Sequence, residues 1–356
     1  MPVREITAIL VSWNDAEDLR EAVRSLAEAR RRMPAGGPRV SLLVVDNGEG
    51  IEDHAGILAL WPGATIVVNE GNRGFGPAGN QAAELAPGDV LLFLNPDTRA
   101  EGDPFTEIAR GFDNIPDAVA LAPRLLDFEE PSQPGAQSSI VNRQSSIPLL
   151  SPPDREDQFT FQLRRFPSLA SDARELLLID HVVPNNRGRR RARYADVERA
   201  APFEVEQAAA AALAIRKSVF QQLGGFNSRF VPAWFEDVDL CARLVGEGKI
   251  LFWPDARFRH RGGVSSAALG YGRFLPIFYR NALLYRRLHY GHGGRLLYRP
   301  LLAAGMLLRL AALPFRPRVP RSRKESARAY LSTLAVALGL SPSNRQSSIV
   351  NHQSHD

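Results

Sequence analysis

The first hundred residues sort into short apolar blocks separated by longer mixed ones. Ile6–Trp13 (ITAILVSW), Val40–Asn47 (VSLLVVDN), Ala64–Glu70 (ATIVVNE) and Asp89–Asp97 (DVLLFLNPD) are near-continuous runs rich in Val, Ile and Leu. Such runs predict strands covered by helices on both faces. Between them the apolar spacing is helical, as at Ala16–Arg31, where Asp15 is the expected N-cap. This alternation predicts an α/β domain with a mostly parallel central sheet. Ligands in such sheets bind beyond the carboxyl ends of the strands. Here those ends carry Asn14, Asp46, Asn69–Arg73 and Asn95–Asp97.

Order resumes later in the chain. Phe203–Asn227 reads as a strand and a helix stopping at Gly224–Gly225, Trp234–Gly248 as a helix, and Lys249–Gly263 as a strand entering a polar turn. Between these parts, residues 129–202 are rich in Pro, Ser, Gln and Arg and are expected to form a partly disordered surface excursion. Within it Gln137–Ile147 (QSSIVNRQSSI) has a seven-residue period, and the C-terminus repeats the theme as RQSSIVNHQS. The repeat has one adjacent apolar pair and many poor helix formers, so it predicts solvated chain, not a coiled coil. The expected organisation is an α/β domain over 1–270, a basic helical segment over 271–340 and a disordered repeat tail over 341–356.

Charge sharpens this division. The net charge is +5, yet fourteen of the 44 basic residues lie from Arg273 onward, against two of the 39 acids, Glu325 and Asp356. A basic tail suits an anionic surface, lipid or nucleic acid. Leu296–Leu313 is apolar with Arg295, Arg299 and Arg316 around it, so it predicts a helix lying on an anionic leaflet or a helical subdomain packed on protein. The longest apolar run there, Leu301–Leu308, is interrupted by Arg309, and no membrane crossing is expected. The single cysteine, Cys241, excludes an internal disulfide and reads as a buried hydrophobe in a reducing compartment.

Two acidic clusters could carry chemistry. Asp46 and Asp97 end strands on one sheet edge, where Asp97 could hold Mg2+ or Mn2+ beside phosphate and Asp46 could accept from a base or ribose. Glu236, Asp237 and Asp239 follow Trp234 and Phe235. Asp239 should pair with Arg243 at helical spacing, while mutual repulsion would raise the pKa of Asp237 toward that of a general base. His260, between two arginines, reads as structural by itself. Two other readings compete. Gly74-Phe75-Gly76-Pro77-Ala78-Gly79 has the spacing of a dinucleotide-binding loop, as in an NAD-dependent oxidoreductase, although several residues separate it from the preceding strand. The run Arg187–Arg193 (RGRRRAR) would suit nucleic acid, without a recognition motif to accompany it.

Taken in order, ILVSWND, VVDNG, NEGNRGFGPAGNQA, LFLNPDT, RRFPS, AALAIRKSVFQQLGGFNSRF, WFEDVDLCARLVGEGK, PDARFRHRGGVSS and FYRNALLYRRLHYG resemble family 2 glycosyltransferases, in particular rhamnosyltransferase-like members. The resemblance implies a GT-A fold and inverting transfer of a sugar from a nucleotide-diphosphate donor. The acceptor would be a saccharide or lipid-linked saccharide in cell-surface polysaccharide synthesis, and no nucleic-acid partner is expected. With the single cysteine and the basic tail, the expectation is a cytoplasmic protein that could be peripheral on the inner face of the membrane. The resemblance also implies donor contacts from Ser12, Asn14, Asp46, Arg73, Gly74, Asn80, Asn95 and Asp97, acceptor-side roles for Trp234 and Glu236, and Asp237 as catalytic base. A divalent cation, Mg2+ or Mn2+, would be held by Asp97 and His260. Asn95 stands where the family's acidic motif has its first acid.

Overall fold

The computed structural model describes residues 2–48, 50, 53–128, 158–262, 269–315 and 322–340. The Gln137–Ile147 repeat and the tail 341–356 lie outside the described residues. The chain forms two compact units, one of residues 1–166, 190–232 and 236–264, the other of 167–189, 233–235 and 265–356.

In the first unit the predicted alternation runs β1 (Glu5–Ser12), α1 (Ala16–Arg32), β2 (Arg39–Asp46), α2 (His54–Leu60), β3 (Thr65–Val68), α3 (Phe75–Leu85) and β4 (Val90–Leu94). It continues with β5 (Thr98–Glu101), α4 (Pro104–Asn114) and β6 (Ala118–Asp127). The boundaries follow local chemistry. Asp53 and Asp103 cap α2 and α4 by accepting from the amides of Gly56 and Thr106, and Pro104 takes the first helical position of α4. Asp15 occupies the N-cap position of α1, but contrary to expectation its side chain makes no capping bond. Burial, with the charges of Asp97 and Asp18, instead pushes its carboxyl up to about 6.

After residue 157 come α5 (Gln158–Gln162) and β7 (Leu163–Arg164), then α6 (Leu169–Leu176), α7 (Ile179–Val182) and α8 (Arg187–Ala192). β8 (Phe203–Glu204), β9 (Gln207–Ala208), β10 (Ala212–Arg216), α9 (Lys217–Gln222), α10 (Glu236–Leu244) and β11 (Lys249–His260) follow. Residues 158–163 lie inside the expected excursion, yet Phe159, Gln162 and Leu163 are buried. Gln162 explains why: it donates to the carbonyls of Pro123 and Ala212 and accepts from the Leu125 amide, so its polar head closes open sheet valences. An isolated glutamine carries no sequence signal of that use.

Among the described residues the sheet has nine strands, in the order β3-β2-β1-β4-β10-β6-β11-β5, with β8 against β11. β3, β2, β1, β4, β6 and β11 point one way, and β10, β5 and β8 run against them. The sheet is therefore mostly parallel. The antiparallel β10 between β4 and β6 departs from a doubly wound dinucleotide-binding sheet, in which the strand beyond β4 would continue in parallel. Two apolar layers cover the faces, one holding Leu19, Val23, Leu26, Phe105 and Phe112, the other Ala78, Ala82, Phe220, Phe226 and Leu240.

The second unit is built on α11 (Tyr271–Ala312) and α12 (Arg323–Leu338). Gly291, with φ 66° and ψ −165°, breaks α11, and Arg286 stacks over the Tyr298 ring at 5.4 Å as the second half folds back along the first. Tyr271–Phe315 contains an 18-residue window with mean hydropathy 1.5, a third of it buried, so one helix among the described residues is long and apolar enough to cross a membrane. That corrects the expectation that no segment reaches this threshold. Counting only unbroken apolar runs underrates a segment whose few arginines are spaced far apart.

Candidate active site

Asp97 follows β4, and His260 ends β11 in register with Thr98. This register brings the His260 Nε2 to 3.3 Å from Asp97 Oδ1 and 3.3 Å from Asn95 Nδ2. Both Asp97 and His260 are buried. On the far side of the ring Nδ1 lies 2.8 Å from Gln158 Oε1. An amide oxygen only accepts, so Nδ1 carries a proton and Nε2 is the ring nitrogen turned toward Asp97. Phe161 stacks on the ring at 5.4 Å. Burial pushes the Asp97 carboxyl up, but His260, by charge and hydrogen bond, and the Gly262 amide at 2.8 Å outweigh it and hold Asp97 below its usual value.

A buried carboxylate oxygen 3.3 Å from an imidazole nitrogen is a donor set that a divalent cation fits once that nitrogen gives up its proton, the ring held from behind by Gln158. Among the described residues no three His, Cys, Asp or Glu side chains converge as a complete cage.

The neighbouring strand end is organised by Asn47. Its side chain donates to Asn72 Oδ1 and, at 3.4 Å, to the Gly74 carbonyl, while its oxygen accepts from Asn69 and from the Arg73 amide. This one residue, absent from the sequence-based candidates, pins the 69–74 loop to the end of β2. Asp46 beside it accepts from the Gly48 amide and meets His54 Nε2 at 3.2 Å. Ser12, in register with Asp46, has a buried hydroxyl without a partner among the described residues. Asn14 adopts φ 57°, and its side chain fills the space a Cβ on Gly48 would need. Arg73 is exposed.

The glycine run serves packing. Gly74 has φ 91° and its backbone abuts the Pro232 carbonyl, which accepts from the Phe75 amide. A Cβ on Gly79 would crowd the rings of Phe226 and Phe93. Asn80 is expected in the donor pocket. Its amide nitrogen donates to the Phe226 carbonyl and its oxygen accepts from the Phe226 amide, both at 2.8 Å, so it staples α3 to the turn after α9. The basic run is also spent locally, with Arg189 donating to the Pro184 carbonyl, Arg190 bound to Asp196 and Arg193 pushed down to about 10 by burial.

Asp237 opens α10. Its Oδ2 accepts from the Ala210 amide at 3.3 Å and its Oδ1 from the Val238 amide at 2.8 Å. Burial raises its pKa against these amides and the charge of Arg164. Burial, more than the expected mutual repulsion, is therefore the leading cause. Glu236 is raised well above the ordinary value by burial and then by Asp237, and its buried Oε2 has no partner among the described residues. Asp239 pairs with Arg243 at 2.8 Å as expected, and Cys241 is buried, its thiol pushed up to about 12. Trp234 belongs to the second unit. There it and Phe235 hold φ values of 73° and 74°, and Asn281 donates to the carbonyls of Ala233 and Trp234.

The sequence profile of glycosyl transferase family 2 matches residues 7–193, more than half of the chain. The chain belongs to this family. Two relatives, uncharacterized glycosyltransferases from two strains of Mycobacterium tuberculosis, are each 29% identical over 126 residues. That match covers 35% of this chain and 41% of each relative, less than half their length. Among solved structures, a mannosyltransferase from Pyrobaculum calidifontis in complex with GDP-Man and Mn2+ aligns with a TM-score of 0.51 at 11% identity, over 96% of this chain and 87% of that one. GalNAc-T7 with UDP, GalNAc and Mn2+ aligns with a TM-score of 0.50 at 15% identity, over 78% of this chain and 47% of that one. This family 2 chain therefore has a GT-A type fold.

Proposed function

We propose that the chain is an inverting, cation-dependent hexosyltransferase. It moves a sugar, rhamnose or a similar hexose, from a nucleotide-diphosphate donor to a saccharide or lipid-linked saccharide acceptor. It acts in cell-surface polysaccharide synthesis at the cytoplasmic face of a membrane. The carrying observation is a strand end shared by two acids remote in sequence. Ala210 donates to Asp237, while the adjacent Ala211 carbonyl accepts from the amide of Asn95, two residues before Asp97.

In this reading Asp46 and the Ser12 hydroxyl contact the nucleoside, and the loop held by Asn47 contacts the donor beside it. Asp97 and His260 would hold a divalent cation, which when bound neutralises diphosphate oxygens. Asp237 accepts the proton of the acceptor hydroxyl as that oxygen attacks the anomeric carbon opposite the departing diphosphate. Positioning supplies most of the acceleration and base catalysis a smaller factor. The Mn2+ seen with both similar folds, beside GDP-Man in one and UDP and GalNAc in the other, agrees with this chemistry.

Thermal-shift measurements with dTDP-rhamnose, UDP-sugars and GDP-sugars, each with and without Mn2+, test the reading. Stabilisation should require one nucleotide sugar and the cation together. Stabilisation by NAD(H) alone, or by oligonucleotide alone, would overturn it in favour of a dehydrogenase or a nucleic-acid-binding protein.

A further inference from the structure

The second half of α11 is built with its charge inward and its hydrocarbon outward. Leu296, Leu297, Leu307, Leu308, Ala311 and Phe315 are exposed and recur at helical spacing, Phe315 at 86%. Together they form a stripe without a charged group, about 30 Å long at the helical rise. The arginines of this stretch are turned away from it. Arg309 is only 3% exposed and donates to the carbonyls of Glu175, Leu176 and Gly305. Arg299 donates to the Ala337 carbonyl of α12. A helix packed for water would do the reverse.

The same unit exposes cations. Arg287 is exposed on the first half of α11, Arg323, Lys324 and Arg328 are exposed on α12, and Arg273 lines one pocket with Lys324 and Arg328. We infer that this stripe lies in the plane of an anionic lipid bilayer, leucines and Phe315 among the acyl chains and these cations among the headgroups. The charge decides the occupant. A second copy of this bundle would bring like charges together, whereas anionic headgroups complement them. The same cations decide the depth. The unit that carries the stripe also exposes Arg287 and Arg328, so crossing the bilayer would carry those charges into hydrocarbon.

This inference deepens the membrane-face reading and rests on it, so donor binding is measured in parallel. The full chain should float with vesicles containing phosphatidylglycerol and bind neutral phosphatidylcholine vesicles far more weakly, with binding that weakens as salt rises. Leu307→Glu with Leu308→Glu should lower vesicle partitioning about tenfold or more, leaving the nucleotide-sugar thermal shift unchanged. Because Cys241 is buried and is the only cysteine, a polarity-sensitive fluorophore on Leu308→Cys reports the site directly. Its emission should shift to the blue on adding anionic vesicles. Unaltered flotation of the double variant, an unshifted probe, or loss of self-association in place of vesicle binding would each overturn the inference.

Discussion

At the scale of single residues the chemistry depends on how few groups hold each reactive atom. Asp237 keeps its carboxylate against burial with two amides, so its proton affinity is raised without being left unbonded. As the base it must be ionised, and kcat/KM should fall with acidity through a midpoint above the ordinary carboxylate range. Asp237→Asn should lower kcat by about 10²- to 10⁴-fold and leave donor affinity unchanged; near-normal turnover would remove Asp237 from the base role. The same shift fixes a sign for stability. A carboxyl raised in the folded state contributes stability fully present at acid pH and lost as pH rises through the folded pKa. Asp237→Asn cannot suffer that loss, so its melting temperature should exceed wild type at pH 8, with the gap narrowing toward pH 4. Gln158 acts one step back, through the imidazole. Gln158→Ala should weaken Mn2+-dependent nucleotide binding by about 10- to 100-fold in calorimetric titration while binding without cation is unaffected.

At the scale of elements, the strands and helices that bury apolar runs were legible, because hydrophobic periodicity reports burial directly. The four strand ends with their Asp and Asn residues followed from that pattern, and so did the Asp239–Arg243 pair. What the pattern does not carry is partnership between distant residues. Gln158, Gln162, Asn47 and Asn80 are ordinary polar residues in sequence, and their roles come from which carbonyl or ring the fold brings opposite them. The register of β11 against β5 that delivers His260 to Asp97 is equally invisible, which is why His260 entered only through the family resemblance. The glycine run resembles a dinucleotide-binding loop in spacing alone for a related reason, since its glycines pack closely on Phe226 and Phe93 and on the Pro232 carbonyl. Gly74→Ala tests this. Its Cβ would come within 2.9 Å of that carbonyl, at a φ of 91° that L residues avoid. Urea denaturation should show a loss of about 1–3 kcal/mol, and a change within error would mean the loop yields freely.

At the scale of the molecule, the division of chemistry between the two units makes a mapping prediction. The donor-side groups, namely Asp46, the Asn47-held loop, Asp97 and His260, all belong to the first unit, whereas the outward apolar stripe belongs wholly to the second. A ligand that binds the folded state suppresses the local openings of the segments it touches. Hydrogen exchange on the full chain should therefore slow at residues 46–48, 69–74, 95–97 and 260–262 when nucleotide sugar and Mn2+ are added together. Anionic vesicles alone should slow exchange over 296–315 and leave those four segments unchanged. Protection by the nucleotide sugar confined to the second unit would refute the placement of the donor. Vesicle protection spread over the sheet would refute the stripe as the contact. Because the two ligands are added independently, the catalytic assignment and the membrane assignment fail separately.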